Sequence, residues 1–423
     1  MDQAVLDVVI IGAGHAGLSI SKLLADHLLT HQVFERGKTG ESWRSQRWHA
    51  FRLNSNNRLS LLPGQTPIFA DPEAFPSAPE YVAQLEAYVQ EYHLPVVEHA
   101  TVTRVTKDTT SNLFVTTVLI SGQLQTYYSR QVVVASGGQN KPAIPRFAEQ
   151  LDTGIVQMHA SAYRHAAQLP EGAVLVAGSA QSGTQVAEDL ANTGRKVFLC
   201  TSQAGRIPRT YRGRDIFDWL LGMGLYDLLR EDASPEMLQT RPPQVSGTGI
   251  RGKTCSLQSL AGQGVVILGK AEHIDGDVFY LQPNAAQHVR FADTFSANLK
   301  KAIEDYIREQ QLVVPAAEID PNDQPDETAS CVTGCTQLSL QDNHITSVIW
   351  ATGFRGDFSY LDPLVLNDDN TPKHEHGISG VDGLYFLGLP WLRKRKSGII
   401  PGIGDDAAFI AGQILQFRER YPS

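Results

Sequence analysis

The chain has 423 residues, 36 Lys+Arg against 45 Asp+Glu for a formal net charge of −9, and a 42% hydrophobic, 19% charged composition. That is enough chain for two or three domains, each with its own core, and the acidic balance argues against a nucleic-acid partner. Four cysteines, Cys200, Cys255, Cys331 and Cys335, are too few and too scattered for a disulfide scaffold and show no zinc-like spacing, so reduced thiols, no metal and a cytoplasmic location are expected.

The start Met1-Asp2-Gln3 has no basic region and Asp7 precedes the first apolar run, which glycines then break, so it reads as a strand entering a helix rather than an export signal. No apolar stretch is long enough to span a bilayer, so no membrane partner is expected. Val8-Val9-Ile10-Ile11 predicts a central parallel strand buried on both faces. Helical spacing over Leu18–Leu24 and a second strand at Gln32–Glu35 complete a βαβ unit. Glu41 to about Phe75 is a polar, aromatic excursion with weak periodicity, of the kind that often serves function. A helix is predicted over Pro79–Tyr92, and strands at Ala100–Thr106, Phe114–Ile120 and Gln131–Ala135. Pro142, Pro145 and the stretch to Pro170 mark a domain junction. A second βαβ unit follows: strand Ala173–Ala177, helix Thr184–Asn192, strand Lys196–Cys200. Arg209 to Gly262 reads as irregular, with an amphipathic patch at Ile216–Leu229, and Ala292–Gln311 as a helix. Strands at Ile345–Ala351 and Gly383–Leu387 and a final helix from about Asp405 close the chain.

The expected fold is α/β, with two Rossmann-like dinucleotide-binding domains, the second inserted in the first: 1–165 for FAD, 166–340 for NADPH and 341–423 as the FAD-domain return. Gly12-Ala13-Gly14-His15-Ala16-Gly17 follows the first strand and opens a helix. Its first glycine permits the turn, the second lets backbone approach a pyrophosphate, and the third lets helix pack on strand. Glu35, at the end of the second strand, suits the ribose hydroxyls of an ADP moiety. Gly178-Ser179-Ala180-Gln181-Ser182-Gly183 repeats the turn with alanine at the middle glycine, where a methyl crowds a pyrophosphate; a decayed nucleotide site is the alternative. No acidic residue ends its second strand. Thr201, Ser202 and Arg206 follow instead and favour the 2′-phosphate of NADPH, unless Arg206, Arg209, Arg212 and Arg214 form a solvated basic face. Two different dinucleotides imply hydride passing from one to the other, with the flavin carrying out the substrate chemistry.

These motifs, with Glu41-Ser42-Trp43-Arg44, Phe51-Arg52-Leu53, Leu62-Pro63-Gly64, Arg206-Ile207-Pro208-Arg209, Trp350-Ala351-Thr352-Gly353-Phe354 and Gly383–Trp391, span nearly the whole chain and resemble the class B flavin-dependent monooxygenases. The resemblance implies an NADPH- and O₂-dependent monooxygenase acting on a small molecule through a C4a-(hydro)peroxyflavin, with oxygen transfer at nitrogen or sulfur. It places Arg36, Ser42, Trp43, Val102, Ala135, Gly137 and Gly353 among the cofactor contacts, and Asn57 beside the flavin C4a, although an Asn-rich turn also explains Asn57. Gly154, His159 and Tyr163 match the family's identifying motif only in part, and His159 reads equally as a hinge histidine. Gly404 and Asp405 open the last helix toward the flavin, unless Asp405 is an ordinary cap. The basic run Arg393–Lys396 lies over the cofactor entrance or is a solvated loop. Other readings are a flavoprotein oxidoreductase or NADPH oxidase without oxygen transfer, a dithiol reductase using Cys331 and Cys335, and a non-catalytic flavoprotein sensor. A homodimer is left open.

Overall fold

The computed structural model describes residues 4–66, 69–239, 243, 244, 247, 249–325 and 333–421. Leu6–Ile11 forms β1, whose last four residues are buried, as an apolar run in a central strand requires. Helix α1 (His15–Asp26) covers it with Leu18, Ile20 and Leu24. Strand β2 (His31–Phe34) then pairs in parallel with β1 from Val8↔His31 to Ile11↔Phe34. On the other edge of β1 lies the second half of the long strand Gln123–Val134, ending at Ile11↔Val134. Its first half folds back antiparallel onto Phe114–Ile120, which pairs with Ala100–Lys107. Leu384–Phe386, far along the chain, joins this seven-stranded sheet beside the same long strand.

Only the Gln131–Ala135 end of the long strand was expected. Residues 123–128 are polar or exposed, so no apolar pattern announces them. The signal was the turn before them: Ser121 and Gly122 both have positive φ, 50° and 79°, the backbone of a two-residue hairpin.

The second sheet is parallel throughout and centred on β3 (Ala173–Ala177), every residue of which is buried. Helix α2 (Gln181–Asn192) and strand β4 (Val197–Cys200) complete its βαβ unit. Val266–Leu268 lies outside β4, while Ile345–Trp350 and then Val156–His159 lie on the other side of β3. A three-stranded antiparallel meander, Ala271–Asp275, Val278–Leu281 and Gln337–Ser339, stands apart from the parallel strands.

The two passages between sheets bind each other. Lys141–Pro142 pairs antiparallel with Phe354–Arg355, and Ala143 N–H donates to the Gly353 carbonyl at 2.9 Å. His159 joins them. Burial lowers its pKa, so the ring is neutral. Its Nδ1 accepts from Ser161 N–H at 3.1 Å, which leaves the proton on Nε2 to donate to the Gly353 carbonyl at 2.9 Å. The ring also meets Phe354 edge-on at 4.7 Å.

The last helix, α3, spans Ile400–Arg420 and so begins before the expected Asp405. Pro401 sits in the first turn, where its missing N–H costs nothing. Gly402 is a packing glycine, since a Cβ there would strike the Lys396 carbonyl. The helix Ala285–Glu309 likewise starts ahead of the expected Ala292.

In the first βαβ unit, a Cβ on Gly17 would collide with the Gly12 carbonyl oxygen, so α1 cannot rest on the turn with any side chain between them. Gly17→Ala should therefore cost about 1–3 kcal/mol or more. We expect a lower urea midpoint at unchanged m-value together with a fall in flavin occupancy; a normal midpoint would show that the turn yields without strain.

Candidate functional site

The turn after β1 is built by exclusion. Gly12 has φ +104°, and a Cβ there would lie 2.7 Å from the Ala135 carbonyl oxygen, so the neighbouring strand end presses on the turn. Gly14 has no atom within 4 Å of a Cβ, so the turn is open on one flank. That opening sits at the N-terminus of α1, where free amides and the helix dipole attract an anion. Glu35 is buried. Its Oε2 accepts from Ala13 N–H at 2.8 Å and its Oε1 from Gly37 N–H at 3.0 Å. Burial raises its pKa, and the two amide donors oppose that shift. The carboxylate thus ties the turn to the end of β2 and keeps lone pairs for ribose hydroxyls. His15, inside the turn, is held neutral with a pKa lowered to about 4 by burial, and its enclosed Nε2 has no protein partner.

The other expected contacts spread around this turn. Gly40 N–H donates to the Ala13 carbonyl at 3.0 Å and starts the short helix Glu41–Ser45, which carries Ser42 and Trp43. Trp43 meets Tyr81 edge-on at 5.2 Å. Arg36 is exposed beside Glu35, and Val102 is buried on its strand. Ala135 and Gly137, the latter at φ +75°, lie where the first passage leaves the sheet; Gly353, at φ +93°, lies on the return.

The second turn has the same construction. Gly178 has φ +110°, with the Ala351 carbonyl oxygen 2.5 Å from a Cβ there, and a Cβ on Gly183 would collide with the Gly178 carbonyl. Ala180 adopts φ −74°, ψ −172°, against −84°, −175° at Gly14. Alanine is unstrained in that conformation, so the substitution adds a methyl and nothing else. Ser179 is buried, and its Oγ accepts from Ser202 N–H at 2.9 Å. Ser182 stands in the first turn of α2.

Two side chains expected at the 2′-phosphate are engaged elsewhere. The Arg206 side chain is 1% exposed; Nε donates to Asp323 Oδ1 at 2.8 Å and Nη1 to Asp293 Oδ1 at 2.7 Å. Thr201 Oγ1 donates to the Leu268 carbonyl at 2.7 Å and meets His288 Nδ1 at 2.8 Å. Arg206 therefore holds the segment around Asp323 in place and has no outward donor for a phosphate. Nor do the other arginines form a solvated face: Arg209 pairs with Asp215, Arg212 with Glu304, and Arg214 lies over Trp219 at 4.8 Å. Ser202, one of the small hydroxyl residues expected there with Thr201, has an enclosed hydroxyl with no protein partner just after β4.

The excursion is tied to residues that lie between the two passages. Arg58, pushed to a raised pKa chiefly by its hydrogen bonds to Asp218, binds that residue and Glu73. Arg209 Nη1 donates to the Asn54 carbonyl at 2.9 Å. Arg164 donates to the Ser45 carbonyl, and its own carbonyl accepts from His49 N–H at 2.9 Å. Asn57 Nδ2 donates to the Asp71 carbonyl at 2.8 Å, the loop-capping arrangement, and the residue lines a cavity of about 420 Å³ with Arg52, Phe75 and Glu80. Asn54 Oδ1, three residues earlier, is enclosed without a partner. Gly404 and Asp405 fall in the second turn of α3, not at its opening; a Cβ on Gly404 would lie 3.6 Å from Pro63, and Lys396 holds the Asp405 carboxylate at 2.6 Å. The basic run is thus neither free nor a lid, since Lys394 and Lys396 also bind Asp227. Cys331 lies outside the described residues; Cys335 Sγ is 2.7 Å from the Gln337 carbonyl.

The family model for pyridine nucleotide-disulphide oxidoreductases matches residues 9–212. An uncharacterized CzcO-like oxidoreductase of Geobacillus kaustophilus is 30% identical over 417 residues, covering 98% of this chain and 99% of its own. The chain belongs to the class B flavin-dependent monooxygenase family. A flavin-containing monooxygenase from Stenotrophomonas maltophilia shares the fold, with TM-score 0.63, 19% identity and 99% of each chain covered. So does a Kutzneria ornithine N-hydroxylase described with reduced FAD, NADP⁺ and L-ornithine, with TM-score 0.61, 16% identity, and 99% and 100% covered. As a member of this family the chain is a flavin- and NADPH-dependent oxidoreductase. The open flank at Gly14 and the carboxylate of Glu35 fit FAD, and the repeated turn at Gly178 fits NADPH.

Breaking the Arg206 cluster should cost stability, about 3–5 kcal/mol for a buried pair that loses one partner, rather than coenzyme choice. We expect Arg206→Ala to lower the urea midpoint sharply, with the NADPH/NADH ratio of kcat/KM staying within about twofold of wild type, since no phosphate contact is lost. Should the alanine variant not fold, Arg206→Lys gives the same ratio. A selective rise in KM for NADPH would return the arginine to the phosphate. Ala180→Gly should tighten NADPH binding severalfold, about 1 kcal/mol, if the methyl crowds the pyrophosphate; unchanged affinity by titration would show that it does not.

Proposed function

We propose that the chain transfers one oxygen atom of O₂ to nitrogen or sulfur of a small organic substrate, at the expense of NADPH. The observation that supports this most is the pairing of two glycine turns of one geometry, one completed by a buried glutamate and the other with no acid at its strand end. In this reading the NADPH part is inserted in the FAD part, with its limits near Pro142 and Phe354 rather than at the expected 165 and 341. Val156–His159 and Ile345–Trp350, which pair within the second sheet, extend the inserted unit to the ribbon at Pro142 and Phe354.

The roles follow from the geometry. Gly12, Ala13, Gly14 and Gly17 hold the FAD pyrophosphate on the amides of α1, and Glu35 takes the ribose hydroxyls. Gly178, Ser179, Ser182 and Gly183 do the same for NADPH, with Ser202 toward its adenosine ribose. FAD, when bound, would supply the redox and O₂-activating chemistry. The chain's task is to position, desolvate and hydrogen-bond. Within Asn54–Asn57, Asn57 is tied to Asp71, whereas Asn54 retains an unmet amide oxygen for a hydrogen-bond donor at the reacting atoms.

The test is a panel of amines, sulfides, nitrogen-rich metabolites and ketones, screened for substrate-stimulated NADPH and O₂ consumption. The expected outcome is one O₂ consumed per oxygenated product for at least one amine or sulfide. Hydrogen peroxide as the sole product across the panel would reduce the activity to that of an NADPH oxidase.

A further inference from the structure

One cation of the excursion lacks an anion. Arg47 lies between Ser45 and His49, the two residues that Arg164 ties to the second domain. Its guanidinium carbon is 4.9 Å from the Trp43 ring centre and 5.2 Å from that of Phe51. Trp48 packs edge-on against Phe51 at 5.1 Å, and Tyr81 against Trp43. Nη1 donates to the carbonyl of the adjacent Gln46 at 3.0 Å, and Nε is enclosed with no partner. Among the described residues, no carboxylate lies within 4.0 Å of this guanidinium. Desolvation alone draws its pKa down to about 10, with no acid nearby to offset it, so the group is still charged at neutral pH.

This is costly packing. A charge in an apolar setting is normally paired, and buried donors are normally satisfied. Two more donors of the same cluster, Trp48 Nε1 and Tyr81 OH, are also enclosed without partners. An arginine on aromatic rings with no carboxylate partner suits a planar oxyanion, since the rings fix the guanidinium plane and exclude water while Nε keeps an unmet donor. The pyrophosphates of FAD and NADPH have their own sites at Gly12–Gly17 and Gly178–Gly183, and the oxidised flavin ring carries no formal charge. The NADPH 2′-phosphate belongs to the adenosine end, which this reading places beside Ser202 after β4, so the anion for Arg47 is assigned to the substrate.

We propose that Arg47 binds the carboxylate of an organic acid substrate whose apolar body lies along the Trp43–Phe51 wall. This rests on the proposed function's reading of the Glu41–Phe75 excursion as lying beside the reacting atoms, but its test does not depend on oxygen transfer. Phenylacetate and its neutral isostere phenylacetamide are titrated into oxidised holoenzyme, and the perturbation of the flavin spectrum is followed. Wild type should bind the acid at least tenfold more tightly than the amide. Arg47→Gln should abolish that preference, a loss of about tenfold to a hundredfold in acid affinity, with amide affinity unchanged. Arg47→Lys, which keeps the charge without the fork, should recover part of it. Flavin content and midpoint potential should be those of wild type in both variants. No acid-over-amide preference in wild type overturns the proposal. So does a variant that loses flavin or shifts its potential while keeping the acid preference, which would make Arg47 a flavin residue. Acid-selective binding in an enzyme that yields only hydrogen peroxide would leave this proposal standing and remove oxygen transfer instead.

Discussion

Both halves of the molecule hang on one contact, a helix glycine laid directly on the carbonyl of a turn glycine. Gly17 on Gly12 and Gly183 on Gly178 leave no space for a methyl group. The contact fixes how closely each helix approaches its strand, and so where its amide groups point. A second pressure acts on the same turns. The Ala135 carbonyl confines Gly12, and the Ala351 carbonyl confines Gly178. Those alanines end the strands from which the chain leaves the first sheet and leaves the second. Each passage between the sheets therefore begins against a dinucleotide turn, and within a few residues the two passages bind each other through Lys141–Pro142, Phe354–Arg355 and His159. Cofactor turn and interdomain ribbon form one mechanical unit.

What was legible in the sequence follows from this. The two βαβ units are local: an apolar run, a glycine turn and a helical period lie within a few dozen residues, and their physics needs no distant partner. Glu35 was readable for the same reason, because the end of the second strand faces the turn in any such unit. Distance defeated the rest. Arg206 resembles a phosphate ligand until Asp293 and Asp323, about a hundred residues on, are folded against it. Asn57 resembles a catalytic amide until the Asp71 carbonyl takes its N–H. The start of α3 was misplaced because the paired aspartates 405 and 406 look like caps, whereas Pro401 and the packed Gly402 already belong to the helix. The partial motif at His159 conceals a definite role, since the ring's proton is directed at Gly353 by a bond from Ser161.

The second dinucleotide site separates shape from recognition. Ala180 reproduces the backbone of Gly14, so the turn, the helix and the strand pairing need no change to accept it. Recognition at the adenosine end is another matter. The threonine and arginine that follow β4 are built into the interior, and Ser202 is left with a free hydroxyl. On the proposed reading, the backbone amides of this turn contact the pyrophosphate common to both nicotinamide coenzymes, and a preference for NADPH rests on groups other than Arg206 and Thr201.

The excursion between β2 and the helix Ala78–Glu91 completes the enclosure. A long loop is ordinarily the most mobile part of a domain, yet this one is bound on both flanks: Arg164 grips Ser45 and His49, Arg209 reaches Asn54, and Arg58 pairs with Asp218. Elsewhere, Lys394 and Lys396 join Asp227 to Asp405 on α3. Exposed pairs of this kind contribute little singly, but several together restrict the hinge motion that two domains on a short linker would otherwise show. On the proposed reading of this face as the substrate wall, affinity comes from groups already in place: aromatic faces, an amide oxygen and an arginine with no carboxylate partner among the described residues.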